Sequence, residues 1–315
     1  MADPTTDPST PPAPQPCLSL KRDEDEPLVR LCGLHKAFGD LVVHRDVSID
    51  IPRGQVTVLL GPSGTGKSVL LKQIVGLLRP DQGEVWFDGQ RIDNQPERAL
   101  VPWRKRVGFL FQMAALFDSL TVGQNIAFPL VEHTDQKPAE RERRVARVLE
   151  LVGLPGIEDK MPAALSGGQR KRVALARAIV LEPCLILYDE PTTGLDPMSS
   201  DVINELIVAL SGEMGLTSVA VTHDLASARK IGDRFVLMAD GGVVAEGSPA
   251  DFDASRDPVV RRFMDGQADP QDIERIRAAF GPGSIQEENA SDAVPFPRPE
   301  RRRKPRSQSV GGAAG

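Results

Sequence analysis

Cysteine is scarce in this chain, with three residues in 315, at Cys17, Cys32 and Cys184. They lie far apart and show none of the close spacings that hold a metal, so a reducing, cytosolic setting is expected. Long hydrophobic runs are missing as well. No apolar stretch approaches the ~18 residues of a membrane span, and the first residues lack the basic-then-apolar order of a signal peptide. The expectation is a chain that does not itself cross a membrane but can work at one through a partner. Positive charge is also in short supply: 38 Lys+Arg stand against 44 Asp+Glu, a net charge of −6. That balance argues against nonspecific attraction to nucleic acid or anionic lipid through the bulk of the surface. What is present is 40% hydrophobic residues, enough at this length for a sizeable core in one large domain or two small ones.

The two ends differ from the middle. Residues 1–27, rich in Pro and ending in the charged run Lys21–Glu26, cannot bury enough apolar surface to offset their ordering entropy and are expected to form a disordered tail. Beyond Gly266 the composition shifts again, to one helical pattern over Gln271–Phe280 and then a basic run, Arg301–Lys304. Between them, strand and helix patterns alternate, and the continuous apolar run Cys184–Tyr188 reads as a central strand of a mostly parallel sheet. The region is expected to be α/β, with its chemistry at the carboxyl ends of strands.

The densest chemical signal is Gly61-Pro62-Ser63-Gly64-Thr65-Gly66-Lys67-Ser68, a full match to the phosphate-binding loop, set between the apolar run Gln55–Leu60 and a helical pattern from Val69. Glycines let successive N–H groups converge on phosphates, and the helix adds its positive end. Lys67 supplies a mobile cation and Ser68 a hydroxyl for Mg²⁺. A second signal is Asp189-Glu190, at the end of the buried strand pattern. One acid can hold the metal and the next can take a proton from water, an arrangement that favours ATP hydrolysis over phosphoryl transfer to a small molecule. Other residues admit plainer readings. Ser166 can be a helix N-cap, Phe38 a core aromatic, Arg170–Arg172 a solvated face, and His35, His44 and His133 surface residues. The apolar Met113–Phe117 is either a buried loop or a surface that a partner covers.

Gly61–Ser68, Gln112, Leu165-Ser166-Gly167-Gly168-Gln169, Leu187–Glu190, Gly194-Leu195-Asp196 and His223 occur in an order that resembles an ABC-transporter ATPase over about residues 28–265. The resemblance implies a P-loop NTPase cassette: a RecA-like parallel-sheet core, an antiparallel β subdomain and an inserted α-helical subdomain over about 113–182. It also implies that residues 266–315 are an extension. Phe38 would stack on adenine, and the loop through Val69 would hold ATP and Mg²⁺, with Ser68, Gln112 and Asp189 at the metal. Glu190 would be the general base and His223 would hold the γ-phosphate. Ser166, Gly167, Gly168 and Gln169 would bind the ATP of a second copy, with Asp196 bridging the sites. One chain cannot fold its Ser166 end onto its own phosphate loop, whereas two chains related by a twofold axis can complete each other's sites.

A narrower resemblance rests on Gly66–Lys72, on Ala115–Val122 followed by Asn125–Leu130, on Glu132-His133-Thr134 and on Val259–Gly266. These segments are similar to the ATPase subunits of Mla and Mce-associated phospholipid transporters. The likeness implies a homodimer, peripheral on the cytoplasmic side of the inner membrane, bound to a permease dimer together with a small STAS-domain subunit and a periplasmic MCE-domain protein. Met113–Phe117 would then dock the permease. A non-lipid importer subunit shares every catalytic motif and stays as the alternative. A soluble cassette ATPase acting on nucleic acid or the ribosome usually has a second cassette or a long coiled coil, and this sequence shows neither.

Overall fold

Alternating apolar residues build the first layer. β1 (Val29–Phe38) and β2 (Leu41–Ile51) form an antiparallel hairpin, and Val29, Leu31, Leu34, Val47, Ile49 and Ile51 bury one side of it. β3 (Val56–Leu60) is buried at all five positions and belongs to a different sheet. The chain then runs through α1 (Lys67–Ile74) and returns in β4 (Gln82–Phe87) and β5 (Gln90–Arg91), completing a four-stranded antiparallel sheet in the order β2-β1-β4-β5. The computed structural model describes residues 26–268, 273–275 and 278. Residues 1–25 of the tail expected over 1–27, most of the expected extension and the basic run Arg301–Lys304 lie outside them. Of the helix expected over Gln271–Phe280, the described Ile273–Arg275 and Ala278 are helical.

The second sheet carries the site. After α2 (Glu97–Arg104), β6 (Val107–Leu110) leads into three helices, α3 (Val122–His133), α4 (Pro138–Leu151) and α5 (Gly167–Ile179). The chain returns through β7 (Leu185–Asp189), α6 (Pro197–Met214), β8 (Thr217–Val221), α7 (Leu225–Ile231), β9 (Arg234–Ala239) and β10 (Gly242–Gly247), and ends in α8 (Pro249–Ala254) and α9 (Pro258–Met264). Strand order is β10-β9-β3-β8-β7-β6, parallel except for the β9–β10 hairpin. β3, β7 and β8 are buried on both faces, which is why they read as unbroken apolar runs instead of alternating ones. One core lies between this sheet and α3–α7. The other lies between its opposite face, α1 and the antiparallel layer.

The two layers are pinned by charge. Asp88, nearly fully buried at the end of β4, accepts from Arg53 Nη2 and from Arg106 Nη2, each at 2.6 Å, and Arg106 stands just ahead of β6. Removing the carboxylate takes from two half-buried guanidinium groups the charge that both share. Asp88→Ala is expected to lower stability by about 3–5 kcal/mol, read as a lower urea midpoint; an unchanged midpoint would show that the pin is dispensable.

Several local readings change. Alternation over Leu28–Cys32 reads as a short strand, and β1 runs on to Phe38 because pairing with β2 extends it past where that alternation ends. α2 carries its apolar residues in one continuous run, Ala99–Trp103, without helical spacing and with Pro102 inside it. Val145, Val148, Leu149 and Val152 are buried together, as their spacing requires.

Candidate active site

The phosphate-binding loop leaves β3 at its carboxyl end. Gly61, Gly64 and Gly66 take positive φ values of 143°, 84° and 89°, and at Gly66 a Cβ would lie 2.5 Å from Val43 and 2.6 Å from the His44 ring. That close approach leaves room only for glycine. Pro62, Ser63 and Gly64 are exposed at the loop tip, while Thr65 Oγ1 donates to the Pro62 carbonyl at 2.9 Å. Lys67 Nζ is ringed by the Gly61 carbonyl at 2.8 Å, the Pro62 carbonyl at 2.7 Å and Thr65 Oγ1 at 3.4 Å. Burial lowers its pKa, opposed by the charges of Glu190 and Asp189.

Parallel register brings the acids to the same edge. β7 pairs with β8, which pairs with β3, so Asp189 ends its strand beside the loop. Ser68 Oγ donates to Asp189 Oδ1 at 2.7 Å. These two oxygens suit a hard divalent cation, which commonly takes one or two protein oxygens and completes its shell with phosphate and water. Among the described residues no cluster of three His, Cys, Asp or Glu stands ready for a metal, so nucleotide and water would supply the other ligands. The residues present therefore fit Mg²⁺ with a triphosphate.

Glu190 sits one residue beyond β7 in a left-handed conformation, φ 52°. Its Oε2 is 2.9 Å from His223 Nδ1 and accepts from Thr193 Oγ1 at 2.9 Å. Both contacts fall on one oxygen; Oε1 has no hydrogen-bond partner among the described residues. His223 follows β8 on the neighbouring strand and is largely exposed. Gln112 lies exposed two residues past β6, at the same strand edge.

Known proteins resemble this chain. Residues 44–193 match the family model described as ABC transporter. The chain is 44% identical over 231 residues, 73% of its length and 86% of the relative's, to the intermembrane phospholipid transport system ATP-binding protein MlaF of Escherichia coli K12. The chain belongs to the ABC transporter ATP-binding family. It is also 44% identical over 239 residues, 76% of its length and 69% of the relative's, to the probable ribonucleotide transport ATP-binding protein mkl of Mycobacterium leprae. A dimeric ATP-binding cassette in a post-hydrolysis state, bound to ADP and Pi, matches with TM-score 0.65 and 34% identity over 70% of this chain and 98% of that one. The cassette is thus an ABC-type ATPase with the α/β P-loop fold.

The remaining motif residues of the cassette divide into two groups. Phe38 ends β1 with 47% of its surface exposed, and Lys36 Nζ lies 5.3 Å from its ring centroid. The core reading of Phe38 is therefore wrong: the hairpin tip projects beyond the buried face. The hairpin also reaches the phosphate loop through Val43 and His44. Ser166 is exposed, away from the packed face of α5, and caps that helix with Gln169 in a reciprocal box: Gln169 N donates to Ser166 Oγ at 3.2 Å and Ser166 N to Gln169 Oε1 at 3.0 Å. Gly167 and Gly168 face Leu195 and Ser199. Asp196 caps α6, accepting from Ser199 N at 2.9 Å and Ser199 Oγ at 2.7 Å, bonds that hold its carboxyl below the usual range. No described hydrogen bond or ion pair joins these residues to Lys67, Asp189 or Glu190, so the motifs form two separate clusters on one chain.

Three residues escaped the sequence reading. Lys171, taken as part of a solvated run, is 5% exposed and donates to the Glu190 carbonyl at 3.1 Å. Burial is the larger influence on its pKa, brought down to about 8 against the opposing charges of Asp189 and Glu190. Its helical register with the buried Ala174 and Leu175 was the available signal. Thr193 lacked any such cue. His44, expected at the surface, is fully buried with Nε2 3.1 Å from the Gly66 carbonyl, and burial lowers its pKa.

Proposed function

We propose that this cassette powers phospholipid movement between inner and outer membranes, as a homodimer bound on the cytoplasmic side to a separate permease dimer. The catalytic part rests on one observation, the Ser68–Asp189 pair with Glu190 directly beyond it at the edge of the parallel strands. The cargo rests on the likeness to the MlaF protein over 86% of that protein. In this reading residues 28–265 are the ATPase domain, with a helical subdomain over about 113–182, and 266–315 an extension.

Lys67 and the loop amides Gly61–Ser68 would bind the ATP phosphates, with Val69 opening the helix behind them and Phe38 against the adenine. Ser68 and Asp189, with Gln112 at the edge, would hold Mg²⁺, which when bound offsets charge on the transferring phosphoryl group. Glu190 takes the proton of the attacking water through Oε1, while Thr193 fixes Oε2. His223, which meets Oε2 in this structure, is assigned to the γ-phosphate, to which its exposure lets it turn when nucleotide binds. Ser166, Gly167, Gly168 and Gln169 meet the ATP of the second copy, and Asp196 bridges the two sites. A STAS-domain subunit and a periplasmic MCE-domain protein are the further partners expected of this reading.

The permease would dock on the loop after Gln112. Its backbone is firmly held: Arg177 donates to the Ala115 carbonyl at 2.8 Å and the Ala114 carbonyl at 3.0 Å, and both alanines have positive φ. The buried Asn125 side chain binds the Phe117 amide and three carbonyls nearby. The loop is therefore neither wholly buried nor wholly exposed. Ala114 is core, Leu116 packs against the core, Met113 at 87% and Phe117 at 44% face outward, the Phe117 ring lies 5.0 Å from that of Phe128, and Val131 on α3 is exposed as well. Rigid exposed apolar surface of this kind suits a partner helix. Met113→Glu with Val131→Glu is expected to leave folding and isolated ATP binding intact but block co-purification with the permease; normal assembly would refute the docking surface.

A second reading has its own support, the likeness to the ribonucleotide transport protein. The tagged chain purified from its native membrane should bring a multispan permease carrying phospholipid. A permease whose bound cargo is not lipid would favour the second reading, and the absence of any permease would reject both.

A further inference from the structure

We propose that Lys171 is a positioning residue for Glu190, its ammonium holding the Glu190 peptide in the conformation that aims the carboxylate at the site. The inference rests on Glu190 being the general base and adds the device that orients it. Glu190 is one of few non-glycine residues here with positive φ, and such a conformation persists only where surrounding bonds over-determine it. Three do so. Its N–H donates to the Val221 carbonyl at 3.0 Å, and its own carbonyl accepts from Thr193 N at 3.3 Å and from Lys171 Nζ at 3.1 Å. Lys171 is the only side chain among these partners, and it comes from α5, outside the turn it stabilises.

The choice of a lysine at this depth needs a reason, because burying an ammonium is unfavourable unless opposite charge or hydrogen bonds compensate. The Lys171 ammonium makes one described hydrogen bond, to the Glu190 carbonyl, and the carboxylates of Asp189 and Glu190 supply the attractive field. The cation is therefore tied to the two acids that the hydrolysis uses. Without it, the Glu190 carbonyl keeps only the longer bond from Thr193, and the peptide from which the carboxylate projects is held less firmly. Substrate binding, which falls to Lys67 and the loop amides, does not involve Lys171. The two parameters of turnover should consequently separate.

The test is steady-state ATP hydrolysis by the full-length chain carrying Lys171→Met or Lys171→Arg, alongside Glu190→Gln. Lys171→Met is expected to lower kcat about tenfold with KM for ATP changed less than about twofold, the signature of lost transition-state alignment without lost binding. Lys171→Arg, which restores a buried cation and donor, should recover most of kcat. If Lys171→Met does not fold, Lys171→Gln carries the same expected split. Unchanged kcat in the folded neutral variant, beside an inactive Glu190→Gln, overturns this inference alone. A matching rise in KM with no recovery by arginine also overturns it, as the mark of general loosening. Near-normal hydrolysis by Glu190→Gln removes the base assignment, and this inference with it.

Discussion

Glu190→Gln is expected to bind ATP with near-normal affinity while its hydrolysis rate falls by about two to four orders of magnitude. The amide matches the carboxylate in shape, and its one oxygen, placed where Oε2 stood, can still accept from Thr193 Oγ1, so the turn after β7 should survive. What it cannot do is take a proton from water. ATP once bound would stay intact between the two copies, and a dimer held by unhydrolysed nucleotide should accumulate. The checks are phosphate release and gel filtration of the full-length chain in ATP and Mg²⁺. Hydrolysis close to the wild-type rate would sink the assignment of Glu190 as base.

Lys67→Ala should act earlier, on binding. In the structure the ammonium has three oxygen neighbours within the loop and faces the charges of Asp189 and Glu190. With nucleotide present those loop oxygens compete with phosphate, which offers the ammonium stronger, charge-assisted hydrogen bonds. Losing such bonds at about 1.5–3 kcal/mol corresponds to roughly ten- to hundredfold weaker binding. Calorimetric titration of the variant with ATP checks this, with circular dichroism to confirm that the fold is kept. Unchanged affinity would mean that the glycine-framed amides alone bind the phosphates.

The two variants fail at different steps because their side chains answer to different parts of the chain. Gly61–Ser68 is a local motif: its spacing, its glycines and the helix behind it lie within one short segment, and so it was legible as a sequence. The Asp189-Glu190 pair was legible for a similar reason, since a buried apolar strand announces where its carboxyl end will be. His223 and Thr193 are less so. That His223 lands on Oε2 of Glu190 depends on β8 lying beside β7, a neighbour relation set by sheet order, whereas Thr193 reaches the same oxygen from within the turn, three residues on.

The errors follow the same division. Phe38 was weighed as core because an aromatic residue is more often buried than not, yet the hairpin tip carries it past the layer beneath. By polarity His44 and Lys171 read as surface residues, whereas each is buried against a loop of a later segment, His44 at Gly66 and Lys171 at Glu190. Met113–Phe117 divided residue by residue, because Arg177 and Asn125 fix the backbone and so dictate which side chains turn inward.

The sequence by itself determined the nucleotide chemistry, the α/β class and the order of the motifs, because each of these is written in short-range spacing and in strand and helix periodicity. Tertiary structure alone decided which residues share a site. Parallel pairing of β3, β8 and β7 brings Ser68, Asp189, Glu190 and His223 to one edge, while α5 points its Ser166 end elsewhere and lends Lys171 to Glu190. The physical reason is that pairing and packing act between separate segments of the chain, 121 residues apart for Ser68 and Asp189 and 19 for Lys171 and Glu190, and local periodicity carries no record of which segments those will be.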